Sequence, residues 1–150
     1  MEREEIQQYV TDASIAVKWF VDEADSSRAR KLKSLYLEGA VNLEAPSLLN
    51  YEVASALRFH PVAKLTSLQF RTVMDSLEEL QIARDPTHGE WTTALTLSLE
   101  NAISMYDAIY VAFALQGNSK MVTADETLIG TIKGPEIKAR LISLEALDMK

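Results

Sequence analysis

The sequence predicts an α/β fold, a mostly parallel sheet covered on both faces by helices. Three observations lead there. Short apolar runs alternate along the chain with helical patterns. Turn residues punctuate the alternation, as at Pro46, His60-Pro61, Asp85-Pro86 and Gly117-Asn118. The chain has 150 residues, 47% hydrophobic and 25% charged, which is ordinary for one domain able to bury about two-thirds of its extended surface. One domain over residues 1–150 is therefore expected, with its core at roughly 8–147.

The elements follow in order. Gln8 to Asp12 opens the domain as a strand, and Ser14 to Val21 reads as a short helix. Ser26 to Glu38 is a longer helix, and Val41 to Ala45 a second strand closed by Pro46. Ser47 is expected to cap a helix running to about Phe59, where His60-Pro61 stops it. Thr66 to Leu80 is helical, Gln81 to Arg84 a short strand, and Asp85-Pro86 a turn. Thr87 to Asn101 and Ser104 to Gln116 are helices, the second ending at Gly117-Asn118. Lys120 to Thr123 is a strand, a short helical pattern covers 127–129, and Arg140 to Ser143 reads as a last strand. In such sheets the functional crevice lies beyond the carboxyl ends of the strands.

Composition removes several function classes. Without cysteine there is no disulfide framework, thiol nucleophile or Cys-ligated metal. The two histidines, His60 and His88, both stand beside turn signals, which argues against a triad or a multi-His zinc site. The five glycines are scattered and form no phosphate cradle. The longest strictly apolar run, Ala108 to Leu115, is far too short to span a membrane, and the polar start MEREEIQQ does not read as a signal peptide. A cytoplasmic location is expected. A net charge of −7 disfavours a protein that coats nucleic acid, but not one that touches it at a metal-filled cleft.

Four carboxylates occupy awkward places. Asp12 and Asp125 each end an apolar strand and precede a helical pattern. Either is explained as an N-cap, yet together they put two carboxylates on one edge of the sheet. Glu52 falls inside the apolar stripe of its helix, between Leu48 and Ala56 at about 100° per residue. Either a metal cation or donors meet it there, or it pairs with a buried arginine or snorkels from the stripe's edge. Asp107 is the one charge in a helix that is apolar or aromatic from Met105 to Leu115, although Ser104-x-x-Asp107 also fits a capping box. Four clustered carboxylates repel, and a divalent cation relieves that repulsion. All-oxygen ligands point to Mg²⁺ or Mn²⁺ and to phosphoryl chemistry.

Four segments together resemble the PIN-domain family, especially the short ribonuclease toxins of VapBC-type toxin–antitoxin pairs. They are Val10-Thr11-Asp12-Ala13-Ser14, Tyr51-Glu52-Val53-Ala54-Ser55-Ala56-Leu57, Tyr106-Asp107-Ala108-Ile109-Tyr110-Val111-Ala112 and Val122-Thr123-Ala124-Asp125. The resemblance implies a three-layer α/β/α sandwich and a Mg²⁺- or Mn²⁺-dependent endoribonuclease with Asp12, Glu52, Asp107 and Asp125 around the metal. It implies supporting roles for Thr123 and Ser14, an RNA substrate, a cognate antitoxin, and a homodimer or larger assembly. Many relatives carry a further acidic residue just after the last aspartate; here Glu126 is adjacent and Thr127 follows, which bears on a second metal.

Other features divide between structure and binding. Arg28, Arg30, Lys31 and Lys33 form a basic run that is either a solvated helix face or a contact for an RNA backbone. Of Trp19 and Phe20, at least one packs in the core and the other is free to line a groove for a partner helix. Lys18 is a candidate phosphate contact. A receiver-like phospho-acceptor module would want paired carboxylates after the first strand and a lysine after a late one. Asp12 stands alone, and Lys120 opens its strand instead of following it. A catalytically silent PIN-like scaffold is the alternative function.

Overall fold

The computed structural model describes residues 5–149 and shows five strands in one sheet, ordered β3-β2-β1-β4-β5 with every pairing parallel. The strands are β1 (Gln7–Thr11), β2 (Val41–Pro46), β3 (Ala83–Arg84), β4 (Lys120–Thr123) and β5 (Leu141–Ser143). The helices are α1 (Ala13–Phe20), α2 (Ser26–Leu37), α3 (Leu48–Arg58), α4 (Ser67–Glu79), α5 (His88–Asn101), α6 (Met105–Gln116), α7 (Glu126–Thr131) and α8 (Pro135–Lys138). Pairs of helices join successive strands, and right-handed crossovers place those between β1, β2 and β3 on one face and those leading to β4 and β5 on the other. The result is the expected α/β/α sandwich.

The chain builds outward from β1 to β2 and β3, then returns to lay β4 on the opposite side of β1. That reversal makes the carboxyl ends of β1 and β4 a topological switch point, where open α/β sheets form their crevice. Register fixes what meets there. Thr11 pairs with Val122, so the next residues on each strand, Asp12 and Thr123, stand side by side.

The sheet is dry on both sides. Val10, Ala45, Met121 and Val122 are buried, as expected of strands covered on two faces. Helix α6 lies against β1, β2 and β4, and its residues Ala108 to Ala114 are all buried, which explains its unbroken apolar sequence. On the other face, α1 packs on α2 and α3, and α3 on α4. Capping boxes start α4 (Thr66 with Gln69) and α5 (Thr87 with Glu90).

Two details depart from the sequence reading. Ser47 is already in helical conformation (φ −56°, ψ −22°), so its hydroxyl does not turn back to cap α3. Helix α8 was not expected; its four residues are too few to show a period.

Candidate active site

Asp12 leaves β1 as the N-cap of α1, and its carboxylate accepts from Ile15 N at 3.2 Å. The capping reading therefore holds, but it uses only part of the side chain. Oδ1 also accepts from the Ser14 hydroxyl at 2.6 Å, and Oδ2 from the Thr123 hydroxyl at 2.5 Å. Each hydroxyl in turn accepts a backbone N–H from the end of β4: Ala124 N to Ser14 Oγ at 2.9 Å and Asp125 N to Thr123 Oγ1 at 3.0 Å. These amides orient both hydroxyl protons toward Asp12. Burial nevertheless dominates its titration. Desolvation, helped slightly by the charge of Glu52, outweighs the three donors and pushes the Asp12 carboxyl up to about 6.

Glu52 reaches the same crevice from α3. It is half-buried on the core-facing side of its helix, and Oε1 accepts from the buried Tyr110 hydroxyl of α6 at 2.6 Å. Burial raises its carboxyl, the tyrosine bond lowers it, and the Asp107 charge raises it again. The partner is thus neither an arginine nor bulk water. Tyr110 follows Asp107 by three residues and shares its face of α6. A lone hydroxyl in the otherwise apolar run Ala108–Ala114 was the signal that could have found it.

Asp107 begins α6 on the opposite layer. Its backbone N–H bonds to the Ser104 hydroxyl at 3.0 Å, but the reciprocal bond that α4 and α5 complete at their N-caps is not made. The cap uses the backbone of Asp107 and leaves its half-buried carboxylate turned to its neighbours. Burial first, then the charge of Asp125, raises that carboxyl against the lowering effect of Ser104. Asp125 is exposed and caps α7 through Oδ1, which accepts from Leu128 N at 3.1 Å.

The four carboxylates therefore interact as a row: Asp12 with Glu52, Glu52 with Asp107, and Asp107 with Asp125. Among the described residues no three acidic or histidine side chains close on one point as a formed cation cage. In chemistry the set fits a hard divalent cation. Its donors are all carboxylate oxygens, and most are held above their ordinary proton affinity by burial and by one another. A cation would relieve that energy.

A cleft of about 450 Å³ opens beside Ser14 and Glu52 and is also lined by Lys18, Glu23, His60 and Ala124. Lys18 is tied down there, donating to Ala24 O at 2.7 Å and pairing with Glu23 at 3.5 Å. His60 is structural: Nδ1 accepts from Val62 N and Ala63 N, and Nε2 donates to Glu23 at 2.7 Å. The basic run on α2 is not one solvated face. Arg28 holds the carbonyls of Leu144 and Leu147, Arg30 pairs with Asp22, and Lys33 sits over the Phe20 ring.

Comparison with known proteins adds the lineage. The PIN-domain family model matches residues 9–131. The chain belongs to the PIN-domain family. Ribonuclease VapC1 from two strains of Mycobacterium tuberculosis is 32% identical to this PIN domain over 120 residues, 79% of this chain and 86% of the relative. The crystal structure of PAE2754 from Pyrobaculum aerophilum superposes with a TM-score of 0.65 at 20% identity, covering 93% of this chain and 85% of that one. FitAcB from Neisseria gonorrhoeae gives 0.64 at 13% identity, covering 93% and 99%. These two share the fold of the PIN domain described here. Among the described residues no helix is long and apolar enough to cross a membrane.

Proposed function

We propose that this chain is a single-domain, Mg²⁺- or Mn²⁺-dependent endoribonuclease, the cytoplasmic toxin of a toxin–antitoxin pair, acting as a homodimer. One observation carries the reading: Asp12, Glu52, Asp107 and Asp125 come from two strand ends and both helical layers to the switch point of the sheet. Similarity to Ribonuclease VapC1 supports the substrate class and the toxin role.

Asp12, Glu52, Asp107 and Asp125 would hold the cation, with Ser14 and Thr123 orienting Asp12. A bound cation supplies charge neutralisation for a phosphodiester and acidifies a water. The rest falls to the protein. Asp12 is fixed in both oxygens by hydroxyl protons, so it would meet the cation without reorganising. Tyr110 holds Glu52 across the gap between layers. Before a cation binds, an Asp12 carboxyl held near 6 is mostly ionised at pH 7, so it would take the cation with little proton to displace.

The antitoxin is proposed to cover the site with a basic side chain, because an arginine fork matches carboxylates and replaces a cation's charge. Trp19 does not serve as an anchor point. It is buried, and Nε1 donates to Ala29 O at 2.9 Å. Phe20 remains available, lining a hollow of about 290 Å³ with Lys33, Leu37 and Leu80.

The test is cleavage of end-labelled RNA. Cleavage is expected with Mg²⁺ or Mn²⁺, to stop in EDTA, and to leave 5′-phosphate and 3′-hydroxyl ends. Undiminished cleavage in EDTA, or cyclic-phosphate ends, would overturn the proposal. A binding partner that holds equally well after Asp12→Asn and Asp107→Asn would overturn the capping part.

A further inference from the structure

Loops 21–25 and 59–66 meet beside α1 through Glu23, His60 and Lys18. The His60 ring is fixed by the backbone. Its Nδ1 accepts from Val62 N at 3.2 Å and Ala63 N at 2.9 Å, so the ring proton lies on Nε2 and is given to Glu23 Oε2. Lys18 gives one proton to Ala24 O and another to Glu23 Oε1, and keeps a third. Glu23 is thus held at both oxygens, with a lone pair left on each. The side chains of His60 and Lys18 are 8% and 12% exposed and that of Glu23 is 28%, so the carboxylate is what this set presents. It lines the cleft of about 450 Å³ that also touches Ser14 and Glu52. A carboxylate braced in this way loses little freedom when a ligand arrives.

We infer that this cleft reads a guanine base of the RNA beside the cleaved phosphodiester, through Glu23 and Lys18. The Watson–Crick edge of guanine sets O6, N1–H and N2–H in a row, one acceptor and two donors. Lys18 beside Glu23 offers the opposite order, one donor and two acceptors. Adenine and cytosine each set an amino group beside a ring acceptor, and uracil sets its N–H between two carbonyls. None of these gives a carboxylate two adjacent donors. The walls suit a flat ring, since Ala13, Val17, Ala56, Pro61 and Ala124 are all small or apolar. Unpaired RNA bases are read in this manner, splayed out and bonded along that edge. Because Ser14 and Glu52 line the same cleft, a base in it belongs to a nucleotide at the acidic row. An arginine from a protein partner also carries two parallel donors. It is the weaker occupant, because Lys18 would repel its charge but donates to the O6 of guanine.

The inference takes its substrate from the ribonuclease reading, but its first measurement does not depend on activity. Nucleosides have no phosphodiester to cut and no phosphate for the acidic row to repel. In EDTA, amide NMR spectra of the full chain are followed as guanosine, inosine or adenosine is added. Guanosine should shift the amides of Ser14, Glu23 and Ala124. It should bind about tenfold more tightly than inosine, which lacks the N2 amine, and more tightly still than adenosine. Glu23→Gln should bring the three within about twofold of one another. Glu23→Asp, which draws the carboxylate back, serves if the Gln variant fails to fold. Equal affinities in the parent, or shifts elsewhere, overturn the subsite whatever the activity. Arginine amide shifting these amides where guanosine does not would overturn it too, and assign the cleft to a protein partner. In Mg²⁺, an oligouridine with one guanosine should be cut beside that guanosine, and inosine in its place should lower kcat/KM about tenfold. No cleavage, with guanosine still selected, overturns the ribonuclease reading and leaves a guanine site. Cleavage indifferent to the guanosine overturns the reading of RNA and leaves the cleft to free guanine nucleotides.

Discussion

Asp12 carries the cost of the site in one side chain. Its folded carboxyl titrates at about 6 against an ordinary 3.8. For an acid raised on folding, the native state keeps a proton that the unfolded chain has already lost. The metal-free fold is therefore most stable below about pH 4 as far as Asp12 is concerned, and loses on the order of 3 kcal/mol as pH rises through 6. Asp12→Asn removes that dependence while leaving the other carboxylates in place. Denaturant unfolding in EDTA at pH 4 to 7 should show parent stability falling relative to the variant; a constant difference would contradict the burial of this charge. Thr123 is the complementary residue. Thr123→Val removes a donor to Asp12, so cleavage should drop about tenfold or more and the acid limb of the pH–rate profile should move to higher pH. Thr123→Ser should restore both, and a variant with parental rate and profile would show that the hydroxyl is idle.

Elements were legible in proportion to their period. The all-round apolar run of α6 and the bounded apolar strands β1 and β4 carried their own signal, and with them the sheet edge where Asp12 and Asp125 stand. What was hidden depends on neighbours distant in sequence. Ser47 looks like a cap, yet the chain is already helical there. Glu90 looks like a surface acid on α5, but it is 2% exposed and forked by Arg84 from β3 at 2.8 Å on both oxygens. Burial alone would raise the Glu90 carboxyl; the Arg84 fork outweighs it and holds the group below the ordinary range. Arg84 also lies over the Phe113 ring, 4.1 Å from its centroid, joining β3, α5 and α6. Arg84→Met keeps an apolar side chain beside the ring and removes both the guanidinium stack and the fork. It should cost about 2–3 kcal/mol in chemical denaturation, and a loss within 0.5 kcal/mol would mean the pair is dispensable. The candidate site was legible as residue types at strand ends and on apolar faces. The hydroxyl network and Tyr110 were not, because only the β1–β4 register and the packing of α6 against α3 bring them into place.

At the scale of the whole molecule, the acidic row exists because two helical layers meet over one sheet edge, and the proposed cation would relieve the repulsion among its carboxylates. A ligand that binds only the folded state stabilises it, by about 1.4 kcal/mol at ten times its dissociation constant for one site. The most direct measurement is the thermal melt of parent and Asp107→Asn, each in EDTA and in Mg²⁺. The site reading predicts that Mg²⁺ raises the parent's melting temperature and the variant's clearly less. In EDTA the variant should be as stable as the parent or up to ~1–2 kcal/mol more so, because one repelling charge is gone. If Asp107 instead only starts α6, the variant loses ~1 kcal/mol in EDTA and keeps the full Mg²⁺ shift, and that pair of results would contradict a metal centre at the carboxyl ends of β1 and β4.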